Sequence, residues 1–332
     1  MPGFQEIGFQ TLQESYHPNE LITQAQLIED VGFDSIWTSD HFHPWFDTDA
    51  HCGFAWMWLA AAGQVTDEVT LGTAVTPILK RYHPGIVAQA FATLQAMYPG
   101  RSRLGVGTGE AMNTIPLGYD WPEYPERRER TREGLKVLRM LWDEDGFNTY
   151  DGEFWSLEEA KLYTNPDPSP PIYMSAFGPQ SAAVAGQYAD ALWTIGQPDQ
   201  DRIDALKRGL RKGAERANRD PDDIELVLEL PFALGDDHDA LIEECRRWGG
   251  NAMDIFFDQG IADPRVIEKH GRMLREEVLE DTFFITTETE PIIETSLDYA
   301  DEFDSLVYSN KSPEPLTAIE RLGDEVLPEV KE

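Results

Sequence analysis

Three stretches of the chain combine titratable, aromatic and glycine residues in spacings that suit proton transfer beside a flat bound group. They are Ser39-Asp40-His41-Phe42-His43-Pro44-Trp45, Gly105-Val106-Gly107-Thr108-Gly109-Glu110-Ala111-Met112-Asn113 and Ser175-Ala176-Phe177-Gly178-Pro179-Gln180-Ser181. An imidazole such as His41 titrates near neutrality and can take the proton of an alcohol. A carboxyl such as Glu110 can deliver a proton to an aromatic cofactor if burial raises its hold on that proton. The glycines at 105, 107 and 109 do not form a dinucleotide fingerprint. The sixth position is Glu110, and Pro116 interrupts any helix that would follow. Close approach of backbone to a flat ring system accounts for them better. At Gly178–Ser181 a strand turns into a helix, whose first N–H groups can cradle a phosphate. His41-Phe42-His43 also reads as an HxH metal motif, with His51 and Cys52 nearby. A barrel metallohydrolase needs further histidines at later strand ends. Beyond His83 only His238 and His270 remain, and neither stands at one, so no metal is assigned.

Residues this far apart in sequence need a scaffold that gathers strand ends at one place. Short β-like runs alternate with amphipathic helical stretches, the pattern of parallel α/β architecture. Strands are expected at Glu6–Leu12, Asp34–Thr38, Val69–Ile78, Arg103–Gly107, Pro171–Ala176, Asp190–Ile195, Ile224–Leu230 and Ser305–Tyr308. Helices are expected at Asn19–Val31, Pro84–Met97 and Pro125–Trp142, from near Gln180, and from about Glu314. The segment Thr149–Tyr163 reads as an excursion outside the core pattern. Eight strands with helices between them predict a closed (β/α)₈ TIM barrel, one domain over 1–332, with a helical insertion around 236–302. A barrel carries its site at the C-terminal mouth. The three motifs all fall at strand ends, and Glu14 follows the first strand.

Composition narrows the partners. The chain has 332 residues, with 61 acidic against 27 basic and a formal charge of −34. Eight of the basic residues are lysines and nineteen are arginines, and the acids are spread along the whole chain. This predicts halophilic adaptation, in which concentrated salt screens self-repulsion. Nucleic acid and anionic membranes are poor partners for such a surface. No apolar run of membrane-spanning length and no secretory leader is read, and two cysteines far apart suit a reducing compartment, so a cytoplasmic location is expected.

The segments SDHFHPW at 39–45, LGTAV at 71–75, QAFATL at 89–94 and LGVGTGEAMN at 104–113 resemble the luciferase-like superfamily. The resemblance is closest to the branch of F420-dependent glucose-6-phosphate dehydrogenase and its relatives. It runs from about residue 6 to 195 and thins beyond. It implies a homodimeric oxidoreductase that uses coenzyme F420, a deazaflavin, and passes a hydride between its C5 and a sugar, secondary alcohol or matching carbonyl. His41 would take the hydroxyl proton and Glu110 would protonate N1 of the ring. Trp45 would steady the reacting centre, and Glu14 would orient the substrate. Asp40, Ala74, Val75, Thr76, Thr108, Gly109, Asn113, Phe177, Gly178, Gln180 and Ser181 match coenzyme-contacting positions, and a non-proline cis peptide is implied at Ala74-Val75. Where relatives hold a sugar phosphate with basic side chains, this chain has Pro198, Asp258 and Thr282. That favours a neutral small-molecule substrate. The alternatives are an FMN-dependent luciferase-like monooxygenase and a non-catalytic paralogue. Retention of His41, Glu110 and Trp45 together argues against the latter.

Overall fold

Eight parallel strands close into a barrel in the computed structural model, which describes residues 3–331. They are β1 (Glu6–Thr11), β2 (Ser35–Thr38), β3 (Thr70–Thr73, resuming at Thr76–Pro77), β4 (Ser102–Gly107), β5 (Ile172–Ser175), β6 (Ala191–Ile195), β7 (Glu225–Leu234) and β8 (Ser305–Asn310). Each strand pairs in parallel with the next, and β8 pairs with β1 from Glu6↔Ser305 to Gln10↔Ser309, which shuts the barrel. The interior is filled by side chains, as in other barrels of eight strands. Trp37, Tyr173 and Trp193 pack there with ring centroids 4.8 and 4.7 Å from Trp37. Below them Arg103 grips Glu6 through two hydrogen bonds of 2.6 and 2.7 Å.

The outer layer follows from apolar spacing and end signals. Helix α1 (Pro18–Asp30) buries Leu21, Ala25 and Ile28, spaced at a helical period, against the strands. His17 caps it in a reciprocal box with Glu20. Helix α2 is Ala55–Ala62, and α3 (Pro84–Met97) starts at a proline behind a His83 cap. Helices α4 (Tyr124–Asp143), α5 (Pro179–Tyr188) and α6 (Gln200–Arg216) cover the next strands. No helix among the described residues is long and apolar enough to cross a membrane.

Two strands differ from the sequence expectation, and the expected excursion at 149–163 takes a definite form. The third strand is not continuous over Val69–Ile78. It breaks at Ala74-Val75, whose peptide is cis, as the resemblance implied. The segment around 149–163 forms its own two-stranded antiparallel sheet, Asn148–Asp151 with Ser156–Ala160. Strand β7 runs four residues beyond Leu230, because a short strand at Phe284–Thr286 pairs with Phe232–Leu234. The stretch 236–302 therefore holds a strand among its helices, which include His238–Arg247, Pro264–Gly271, Glu276–Thr282 and Glu290–Tyr299. Much of this stretch packs onto the barrel mouth in a cluster of its own. Trp248, Phe256 and Phe283 sit there against Trp45, Phe46 and Met112. Burying large apolar side chains is worth on the order of 1.5–3 kcal/mol each, enough to hold the segment over the strand ends.

Candidate active site

The site grows from the ends of β1, β2 and β4. Glu14, just past β1, is almost fully buried and uses both carboxylate oxygens. One accepts from the Ser39 hydroxyl at 2.5 Å, and the other lies 3.2 Å from Nε2 of His41. On the other side of the imidazole, Nδ1 lies 3.1 Å from the Asn113 amide nitrogen. The Asn113 amide also donates to Glu110 at 3.0 Å and accepts from the Phe42 N–H at 2.7 Å. That last bond fixes the amide's orientation, because a backbone N–H can only donate. The Asn113 NH₂ must then face both His41 and Glu110. Nδ1 of His41 is consequently an acceptor, and Nε2 carries the proton toward Glu14. A continuous line Glu14–His41–Asn113–Glu110 joins the two groups expected to move protons. Trp45 closes the edge of the site, buried, 6.0 Å from the His41 ring and 5.2 Å from Phe257.

Asp40 supports this arrangement from beneath. Its carboxylate accepts from Thr76 at 2.8 Å and Tyr82 at 3.1 Å and lies 3.1 Å from Arg81. Complete burial raises its hold on a proton, and Arg81, Thr76, Tyr82 and His41 oppose that. Its side chain is thus held by three protein partners. Thr76 is held likewise: it donates to Asp40 and accepts from Trp56 at 3.1 Å. Cys52 donates to the His41 carbonyl, and burial keeps it a thiol. His43 rests on the Ala262 carbonyl and His51 against His17.

The glycines are constrained by their neighbours. A Cβ on Gly105 would lie 1.8 Å from the Thr73 carbonyl, and one on Gly107 would lie 2.5 Å from Val75. These two make room for the neighbouring strand's break at 74–75. Gly109 adopts φ of +74°, and a side chain there would meet Pro77 at 2.9 Å. Thr108 is half-buried beside it.

At the third motif, Gly178 is the N-cap of α5, no side chain caps that helix end, and a Cβ on Gly178 would stand in open space. An uncapped helix start fits a phosphate. Phe177 is exposed, with Arg202 over its ring. Gln180 is bonded by Arg128, and Ser181 shares a 2.7 Å hydrogen bond with Tyr124. Of the three substrate positions, Pro198 is buried and Thr282 bonds back to its own helix at 2.8 Å. The side chain of Asp258 lies outside the described residues. Three basic residues that could answer a phosphate are already paired: Lys80 with Asp120, Arg81 with Asp40 and Lys207 with Glu302.

Two cations, Arg202 half-buried and Lys311 buried, escaped sequence reasoning. Arg202 donates at 3.0 Å to Thr194 and to the Ile195 carbonyl at the end of β6, and burial lowers its hold on the proton. Lys311, just past β8, is 5% exposed, and burial lowers it to about 8 against the pull of Glu229 and Glu14. The only hint was a lysine directly after a run of strand type.

The comparisons follow this geometry. The family model described as luciferase-like monooxygenase matches residues 4–301, and the chain belongs to that family. It is 35% identical over 326 residues to an F420-dependent glucose-6-phosphate dehydrogenase from Microbacterium testaceum, covering 98% of this chain and 97% of the relative. A relative of the same name from Beutenbergia cavernae matches at 35% over 327 residues, again covering 98% and 97%. The likeness thus extends well past residue 195, where the motifs thin. Among solved structures, an F420-dependent secondary alcohol dehydrogenase in complex with an F420-acetone adduct superposes with a TM-score of 0.94 at 35% identity, covering 99% and 100% of the two chains. A coenzyme F420 dependent tetrahydromethanopterin reductase from Methanopyrus kandleri shares the fold, with a TM-score of 0.79 at 21% identity, covering 99% of this chain and 100% of that one.

Proposed function

We propose that this protein is a coenzyme F420-dependent oxidoreductase that interconverts an uncharged alcohol, sugar or polyol and its carbonyl. The observation that carries the reading is the line Glu14–His41–Asn113–Glu110 at the barrel mouth. It links a base-like imidazole to a carboxyl within one hydrogen-bonded unit. The bound deazaflavin supplies a ring carbon, C5, that accepts or returns a hydride. Ala74, Val75, Thr108, Gly109 and Asn113 would lie along that ring. The uncapped turn at Gly178, Gln180 and Ser181 would hold the coenzyme phosphate.

The chain's own residues manage protons. The substrate hydroxyl takes the place of Asn113 at Nδ1 of His41, the ring nitrogen that carries the lone pair. His41 accepts the hydroxyl proton there, and Glu14 stabilises the resulting imidazolium through Nε2–H. Glu110, released from Asn113, would be the group placed to give a proton to N1 of a bound deazaflavin. Trp45 walls the reacting centre from water. General acid–base groups of this kind contribute about 10²–10⁴-fold each.

An uncharged substrate is supported by Pro198 and Thr282, which offer no cation, and by the pairing of Lys80, Arg81 and Lys207 with carboxylates. The surplus of acid supports a salt-adapted, cytoplasmic protein. We take 1–332 as one barrel domain with its insertion at 236–302, and the assembly as a homodimer, on the family resemblance. The test is a fluorescence titration of the purified protein in molar salt with oxidised F420 and separately with FMN. F420 should bind preferentially. Micromolar FMN binding without F420 binding would instead establish the monooxygenase alternative.

A further inference from the structure

A set of buried polar side chains inside the barrel takes no part in the proton-transfer line. Gln10 on β1 and Ser309 on β8 are register partners, so their side chains share one side of the sheet. Both are buried, and Lys311 follows with 5% exposure. The Gln10 amide donates to the Ala74 carbonyl at 3.0 Å, across the barrel. That carbonyl can only accept, so the amide nitrogen must face it and the amide oxygen must face Ser309. The Ser309 hydroxyl therefore donates to Gln10, and its own lone pair receives the Lys311 ammonium at 3.0 Å. All donors run in one direction, from a cation to the backbone of β3. The rest of the ammonium lies 4.1 Å above the centre of the Trp248 ring. Titratable groups that face it are Glu229 on β7, Glu14 past β1 and the Cys245 thiol on the helix His238–Arg247. A buried lysine is expensive unless it serves something. Hydrogen bonds in such a chain polarise one another.

We propose that Lys311, Ser309 and Gln10 form a positioning relay that fixes the Ala74 carbonyl, and with it the β3 wall of the coenzyme site, from inside the barrel. The relay rests on the F420 reading for its ligand, but its effect on β3 does not. Lys311 touches neither coenzyme nor substrate. It governs how firmly the wall is held, so it governs coenzyme affinity more than the chemical step.

The experiment compares wild type with Lys311→Met, Lys311→Arg and Ser309→Ala, in two measurements. The first is hydrogen exchange of backbone amides over 72–77 in coenzyme-free protein. The second is F420 affinity by fluorescence, with kcat at saturating coenzyme. Lys311→Met and Ser309→Ala should speed exchange over 72–77 and weaken F420 binding about tenfold, the loss of one charge-assisted bond. Their kcat should stay within about twofold, and Lys311→Arg should restore both readouts. Ile319→Val, which trims an outer-layer methyl group, controls for general loosening and should leave exchange over 72–77 unchanged. If Lys311→Met does not fold, Ser309→Ala alone decides. Unchanged exchange over 72–77, or a fall in kcat with unchanged affinity, overturns the proposal. Faster exchange in a protein that binds FMN and not F420 upholds the relay and removes the coenzyme assignment instead.

Discussion

Replacing Asn113 by Asp tests the site at its centre. The substitution keeps the size of the side chain and the bond from the Phe42 N–H, which one carboxylate oxygen still accepts. The other oxygen, now charged, stands where the amide nitrogen lay, 3.1 Å from Nδ1 of His41 and 3.0 Å from Glu110. Two unit charges about 3 Å apart interact by about 5 kcal/mol at an effective dielectric of about 20. The imidazolium form of His41, already beside Glu14, gains that attraction. Repulsion from Glu110, 3.0 Å away, and solvent both reduce the figure, but a third of it still exceeds the roughly 1.4 kcal/mol that separates a factor of ten. His41 would then hold its proton to higher pH and be unable to accept another.

The assay is kcat/KM for an alcohol substrate from about pH 5.5 to 9.5, following loss of oxidised-coenzyme absorbance. The acid limb of the profile should move up by at least about one unit in Asn113→Asp. Asn113→Ala removes the donor without adding charge, so it should lower the rate and leave that limb in place. A profile for Asn113→Asp that overlays wild type would show that the amide does not control His41, and that the line from Glu14 to Glu110 has no chemical consequence.

His41→Ala and Glu110→Gln should each lower kcat by about 10²–10⁴-fold with little change in F420 affinity; near-normal turnover in either would remove that residue from proton transfer. Melting temperature should rise between 0.1 and 1 M salt, as the screening length falls from about 10 to about 3 Å; equal values at the two concentrations would contradict halophilic adaptation. Glu268 ties the loop after Trp45 to the mouth. It accepts from the Asp47 and Thr48 N–H groups at 2.9 and 3.0 Å and from Arg272. Burial works against its charge, but Arg272 and the Thr48 and Asp47 bonds outweigh it and hold the carboxyl at about 2, against an ordinary value of 4.5. Because the folded value is depressed, its stabilisation is complete above about 4.5 and is lost as pH falls toward about 2, an upper limit of about 3 kcal/mol. Glu268→Gln should therefore lower the melting point at pH 6 and flatten its fall between those limits; an unaltered acid transition would refute the assignment.

Much of this was legible because periodicity and strand ends are local properties. The switch between strand-like and helical apolar spacing placed all eight strands, and the barrel rule then sent attention to the residues behind them. Glu14, His41, Glu110 and Asn113 were picked from three separate stretches, and the fold brings them into one hydrogen-bonded line. What stayed hidden depends on contacts between distant segments. Only the fold shows Asp40 and Thr76 bonded to Arg81, Tyr82 and Trp56. Gly105 and Gly107 read as ring-facing glycines, and only the fold shows the adjacent strand pressing on them. The pairing of Phe284–Thr286 with β7 is too short to leave a periodic signal. Gln10 and Ser309 were passed over, Ser309 because it lies one residue beyond the strand expected at 305–308, and their bond joins strands at opposite ends of the chain.

The charges near the mouth bear on what the enzyme can accept. With glucose 6-phosphate as substrate, a dianion would have to draw a cation away from the partners it already has or bind without one. Arg81 is held by a fully buried Asp40, and breaking such a pair leaves an uncompensated buried charge at a cost of about 3–5 kcal/mol. Lys311 is enclosed behind Trp248 and committed to Ser309. Arg202 is committed to Thr194 and the Ile195 carbonyl. A neutral alcohol asks for none of these, only a lone pair on His41 and an apolar wall. We therefore expect a substrate panel in molar salt to favour uncharged alcohols, sugars or their carbonyls. A kcat/KM for glucose 6-phosphate above that of every uncharged candidate would mean that one of these cations, Arg202 first among them because its partners are neutral, is released on binding.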